Sequence, residues 1–90
     1  MASESWMTIL GLGAATLTSL SYVPQVIKAF PRGGTGDISL KMLVALLAGL
    51  LLWVVYGLLK TDLIIVAANG VGSLLVGAVL AFKLRDLAGA

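Results

Sequence analysis

Apolar residues in this chain fall into three long runs separated by two short polar breaks. The runs extend from about Met7 to Phe30, from about Leu40 to Leu59 and from about Leu63 to Phe82. A helix rises about 1.5 Å per residue, so about 20 mostly apolar residues cross a hydrocarbon core of about 30 Å. Each run is long enough. The first break, Pro31-Arg32-Gly33-Gly34-Thr35-Gly36-Asp37, is made of helix breakers and polar residues. Lys60-Thr61-Asp62 forms the second break, and so short a connection makes its two helices antiparallel. Ser39 or Asp37 is placed to cap the second helix. The pattern predicts an all-α integral membrane fold, with residues 1–90 forming a single domain of three transmembrane helices.

Composition supports a lipid solvent. The chain is 90 residues long, 60% hydrophobic and 11% charged. A soluble fold of that size leaves too much surface wet to hide so much apolar area. The first charge is Glu4, and the apolar run after it exceeds the core of about 7–15 residues of a secretory signal, so it reads as a span. Basic residues favour the cytoplasmic side. Lys28, Arg32 and Lys41 lie in or beside the first break and Lys83 and Arg85 near the C-terminus, against Lys60 alone on the other side. The expected topology has the N-terminus outside and the C-terminus cytoplasmic. These cations sit near helix ends and form no patch for nucleic acid.

The chain has no Cys and no His, which excludes disulfides, thiolate chemistry and the common metal sites. Glu4, Asp37, Asp62 and Asp86 are expected in loops or tails without partners for acid–base work, so an enzyme is not expected. No cofactor is implied.

Polar residues inside the runs are more informative. Gly11, Ala14, Thr18, Ser21 and Gln25 are spaced 3, 4, 3, 4 and share one helix face. Gly49, Trp53 and Gly57 recur every four residues on the second helix, as do Asn69, Ser73 and Gly77 on the third. Such stripes of small residues also serve as helix-packing faces, and a lone Asn also serves as interhelical glue. By helical rise Trp53 and Asn69 both lie about 20 Å from the inner ends of their helices, with Thr18 near mid-span. Tryptophan prefers the interface, so one at that depth, level with an amide, points to a polar cavity. Trp6 and Met7 read as interfacial anchors, and Tyr56 lies one turn from Trp53.

Pro24, beside Gln25, lies near the inner end of the first span, where it removes a backbone hydrogen bond and kinks the helix. A static kink and a hinge both fit. Three helices hardly surround a solute pathway, so a transporter of this size must oligomerise, most simply as a two-fold dimer about the membrane normal.

Tyr22-Val23-Pro24-Gln25 resembles the Pro-Gln signature of PQ-loop membrane proteins, and Thr35-Gly36-Asp37-Ile38-Ser39-Leu40 is similar to the segment that follows it. With three spans, Trp53 on the second helix and Asn69 on the third, the chain resembles SemiSWEETs, the bacterial half-size relatives of SWEET sugar transporters. The resemblance covers essentially the whole chain. It implies a bundle with the third helix between the first and second, paired as a parallel homodimer in the bacterial inner membrane. Parallel repeats about the membrane normal are a known property of SWEETs. It also implies facilitated diffusion of mono- or disaccharides by alternating access. Trp53 and Asn69, with Thr18 and Ser73, would face the sugar. Pro24 and Gln25 would form the hinge and inner gate, and Tyr56, Lys60 and Asp62 the outer gate between protomers.

The chemistry fits. An amide both donates to and accepts from sugar hydroxyls, and an indole covers an apolar C–H face. An exposed Lys60–Asp62 pair worth about 0–1 kcal/mol would open easily. PQ-loop proteins also include transporters of amino acids and other solutes, and size alone also fits an accessory subunit of a larger membrane complex.

Overall fold

The computed structural model describes residues 2–89, with side chains from Ser5 onward, so the side chain of Glu4 lies outside the described residues. Three helices account for most of it: α1 (Ala2–Ala29), α2 (Leu40–Leu59) and α3 (Leu63–Gly89). All three are long and apolar enough to cross a membrane. No strand occurs among the described residues.

Helix ends follow local chemistry. α1 stops at Ala29, one residue before the expected Phe30, because Pro31 disfavours helical geometry in the residue before it. At the start of α2, Ser39 is the cap: its backbone is extended and its hydroxyl accepts from the Met42 N–H at 3.2 Å. Asp37, the other candidate, instead pairs with Lys28. α2 closes with the Asp62 N–H on the Gly57 carbonyl at 2.8 Å and the Thr61 N–H on the Leu58 carbonyl at 3.2 Å. That is the hydrogen-bond pattern of a Schellman cap, with Thr61 at φ 55° where glycine is usual. Asp62 then caps α3, its carboxylate accepting from the Ile65 N–H at 3.2 Å.

α3 runs to Gly89, beyond the expected Phe82. Lys83, Leu84, Arg85, Leu87 and Ala88 are good helix formers, so charge ends the apolar run without ending the helix. Glu4 and Asp86 therefore sit on helices, which corrects the expectation that they lie in loops or tails. Asp86 accepts from the Thr35 hydroxyl at 2.6 Å, and Asp37 from Lys28.

α3 packs against both α1 and α2, whose backbones do not approach each other, so the spatial order is 1-3-2. At Gly72 both neighbours press in: a Cβ there would lie 3.2 Å from the Tyr22 ring and 3.5 Å from Leu50. Gly57 marks the closest approach of α2, where a Cβ would stand 2.8 Å from Ile65 Cγ2. Leu43, Leu50 and Gly57, seven apart, form the buried seam of α2. The core is small and lies toward the inner half, with Ala29, Ile38, Leu43, Leu50, Val76 and Val79.

The molecule measures 55 × 23 × 14 Å. A helix with its side chains is about 10–12 Å across, so the bundle is a single layer. A layer one helix thick leaves both faces uncovered, and Leu52, Leu59, Leu63 and Leu74 are each at least 70% exposed. Water does not tolerate that surface.

Candidate functional site

On α2, Trp53 and Tyr56 are one turn apart, and their rings meet edge to face at 5.4 Å between centroids. Trp53 is 53% exposed and Tyr56 47%. With Gly49 and Leu52 they line an open apolar hollow on the surface of the layer. The missing side chain of Gly49 leaves space beside the indole, since nothing stands within 4 Å of where its Cβ would be.

Asn69 is part-buried on α3. Its amide nitrogen donates to the Ile65 carbonyl at 2.9 Å. That partner only accepts, so the nitrogen must face it, and the side-chain oxygen is left to accept elsewhere. Ser73 donates its hydroxyl to the Asn69 backbone carbonyl at 2.7 Å. Both side chains thus donate to the preceding turn of their own helix, one way polar groups are held within an apolar span. No hydrogen bond joins Asn69 to Trp53 within the chain. Thr18 is exposed on α1, and its carbonyl accepts from the Ser21 hydroxyl at 2.6 Å.

Toward the inner end, a cavity of about 290 Å³ separates α1 from α2. Ser21, Tyr22 and Gln25 line its α1 side and Met42 and Leu46 its α2 side, with Val76 and Val79 of α3 also in its wall. Pro24 precedes Gln25 within α1 and is exposed. Lacking an N–H, it leaves the Leu20 carbonyl without its usual helical donor.

At the turn between α2 and α3, Lys60 and Asp62 form no ion pair with each other within one chain; the expected gate joins them between protomers. The described ion pairs are Lys28–Asp37 and Arg85–Asp86. The physical reason is local: the Asp62 carboxylate is engaged by the first turn of α3, while Lys60 is exposed. Tyr56 remains nearby through its carbonyl, which accepts from the Lys60 N–H at 2.9 Å.

Sequence reasoning overlooked Gly72 and Met42, and took Tyr22 as part of the Pro-Gln signature. Gly72 lies outside the every-fourth-residue stripe on α3, and an isolated Met in an apolar run carries no signal. It also missed Thr35, the fully buried polar residue of the inner loop. The Thr-Gly-Asp segment was noticed without a reason for its burial.

Known proteins share this arrangement. The family model of the PQ loop repeat matches residues 6–66. The chain is 44% identical to the sugar transporter SemiSWEET of Bradyrhizobium diazoefficiens, over 86% of this chain and 90% of that one. It is 40% identical to the sugar transporter SemiSWEET of Leptospira biflexa, over 87% of this chain and 92% of that one. The chain belongs to the SemiSWEETs, within the PQ-loop family. A crystal structure of a bacterial homologue of SWEET transporters superposes with a TM-score of 0.80 at 27% identity, covering 87% of this chain and 94% of that one. Family and helices together make this SemiSWEET chain a multi-pass membrane protein.

Proposed function

We propose that this chain is a sugar transporter that carries mono- or disaccharides across the bacterial inner membrane by facilitated diffusion, with no cofactor. Residues 1–90 act as one three-helix domain, and two copies pair in parallel around a central path. The path opens alternately to each side. The observation that carries this reading is a half-exposed Trp53 at mid-span on a layer that has no second side. A second copy supplies that side and turns an open hollow into a closed one. The curated relatives named as sugar transporters support the substrate class. The excess of Lys and Arg around the inner loop and C-terminus supports an outside N-terminus and a cytoplasmic C-terminus.

Trp53 covers the apolar face of the sugar while the Asn69 side-chain oxygen and its remaining N–H pair with hydroxyls, assisted by Thr18 and Ser73. Each occurs twice in the dimer, so the sugar is bracketed. Pro24 is the hinge and Gln25, on the inner cavity, its gate. Tyr56, Lys60 and Asp62 meet their counterparts at the outer rim, where Lys60 pairs with Asp62 across protomers.

The test is uptake of radiolabelled glucose and sucrose into liposomes holding the purified protein. Wild type is expected to take up sugar saturably, and Trp53→Ala and Asn69→Ala to lose uptake while remaining folded and dimeric. A folded wild type that takes up no mono- or disaccharide sinks the reading. A hetero-complex or a monomer without transport would favour an accessory subunit, and uptake of amino acids alone a different solute.

A further inference from the structure

The last turns of α3 do more than extend past the apolar run. The Asp86 carboxylate accepts from the Gly33 N–H at 3.1 Å, the Thr35 N–H at 3.2 Å and the Thr35 hydroxyl at 2.6 Å. It thus folds the loop between α1 and α2 back onto α3. The loop can approach so closely because of its glycines. Gly33 takes a left-handed φ of 82°, and a Cβ on Gly34 would collide with the Lys28 carbonyl.

Arg85 holds the other side of the joint. Its guanidinium donates to the carbonyls of Phe30 at 2.8 Å, Pro31 at 3.0 Å and Ala29 at 3.2 Å. The carbonyls at a helix C-terminus lack intrahelical partners, and a cation there is favoured by the helix dipole. Arg85 also donates to Asp86 at 2.9 Å, and Lys83 donates to the Thr35 carbonyl at 2.9 Å. Phe30 and Phe82 meet edge to face at 5.8 Å beneath this network.

Every tie therefore joins α3 to the part of α1 that follows Pro24, or to the loop. None reaches α2, whose Leu43 shares the apolar core cluster with Val76 and Val79 of α3. We propose that Asp86 and Arg85 are positioning residues of the transport cycle: they weld the α1 segment after Pro24, the inner loop and the last turns of α3 into one body. When the inner side opens, that body moves as a unit, hinged above the weld. The inference rests on the transport reading for its functional part. Asp86 lies about 25 Å along α3 from Asn69, so it does not touch the sugar.

Spin labels on Arg32→Cys and Leu87→Cys, both exposed positions in a chain without native cysteine, report the weld directly. Labelled chain is diluted into unlabelled chain so that only distances within one protomer are read. The expected result is one narrow distance with and without saturating sugar, broadened by Asp86→Ala. In liposomes, Asp86→Ala is expected to lower the maximal uptake rate by about fivefold or more with KM within about twofold. Two separate distances in the otherwise wild-type background would show that the weld opens during the cycle and would overturn the proposal, whether or not Asp86→Ala folds. A folded Asp86→Ala with wild-type uptake would overturn it as well. If the unlabelled wild type takes up no sugar, the transport reading fails, and the label distances still decide whether the weld is one body.

Discussion

Gly57 and Gly49 are both on α2, eight residues apart, and they do opposite things. A methyl at Gly57 would press into Ile65 and Val66, at 2.8 and 2.9 Å. Gly57→Ala is therefore expected to destabilise the protein by about 1–3 kcal/mol, measured by denaturant unfolding in detergent. Gly49 meets nothing within one chain. Gly49→Ala is expected to gain up to about 1 kcal/mol in helix propensity in a monomeric state. If a second copy covers the hollow, the same change weakens the dimer. Asn69 is a third case at this scale. Its bond to the preceding turn resembles interhelical bonds worth about 0.6 kcal/mol on average, so Asn69→Ala is expected to change stability little. Its cost should appear in uptake instead.

At the scale of helices and their ends, the clearest strain is at Thr61. A β-branched residue at φ 55° is costly, and the Schellman turn there prefers glycine. Thr61→Gly is expected to stabilise by about 1 kcal/mol, read as a higher unfolding midpoint. Opposite it, at the inner end, the hydrogen bond from Lys28 holds the Asp37 carboxyl below the usual carboxylate range. A lowered folded pKa contributes stability above the unfolded value, near about 3.9, and loses it as pH falls through the folded value. Asp37→Asn is thus expected to be slightly less stable than wild type at neutral pH. The gap should close in acid below about pH 4 and shrink with salt, because the pair is exposed. A gap that persists in acid would remove the ion pair as its cause.

Much of this was legible in the sequence for specific reasons. The limits of α2 coincide with the expected run because Ser39 before it and the Lys-Thr-Asp break after it are local signals. The end of α3 was not legible, because an apolar run measures lipid thickness and not helix length. The Trp53–Tyr56 pair follows from positions three apart on a helix. The stripe of Gly49, Trp53 and Gly57 misled, because steps of four drift by about 40° each on a helix of 3.6 residues per turn. Over two steps the stripe turns from an open hollow at Gly49 to the α3 seam at Gly57. The weld joins Thr35 to Asp86, 51 positions apart, and no periodicity in a single sequence records such a pairing. Asp62 was assigned to the outer gate by resemblance, and its further part as the cap of α3 went unread.

For the whole molecule, the single layer is the decisive feature. The backbones of α1 and α2 stay apart, and the cavity between them is lined by all three helices. Lipid can cover an apolar outer face, but it gains nothing from the polar residues Ser21 and Gln25 or from the hollow beside Trp53. The proposed parallel second copy would match polar to polar and hollow to hollow, because a two-fold axis places each residue opposite its own counterpart or a neighbour's. Facilitated diffusion, as proposed, makes this a carrier with no energy source. Such a carrier exchanges sugar across the membrane faster than it moves net sugar. Counterflow is therefore the measurement to make: liposomes preloaded with unlabelled sugar and diluted into labelled sugar, with ion gradients collapsed by ionophores. The expected result is a transient overshoot of label above equilibrium, lost in Trp53→Ala. No protein-dependent entry of label, or entry that needs an ion gradient, would contradict facilitated diffusion through this fold.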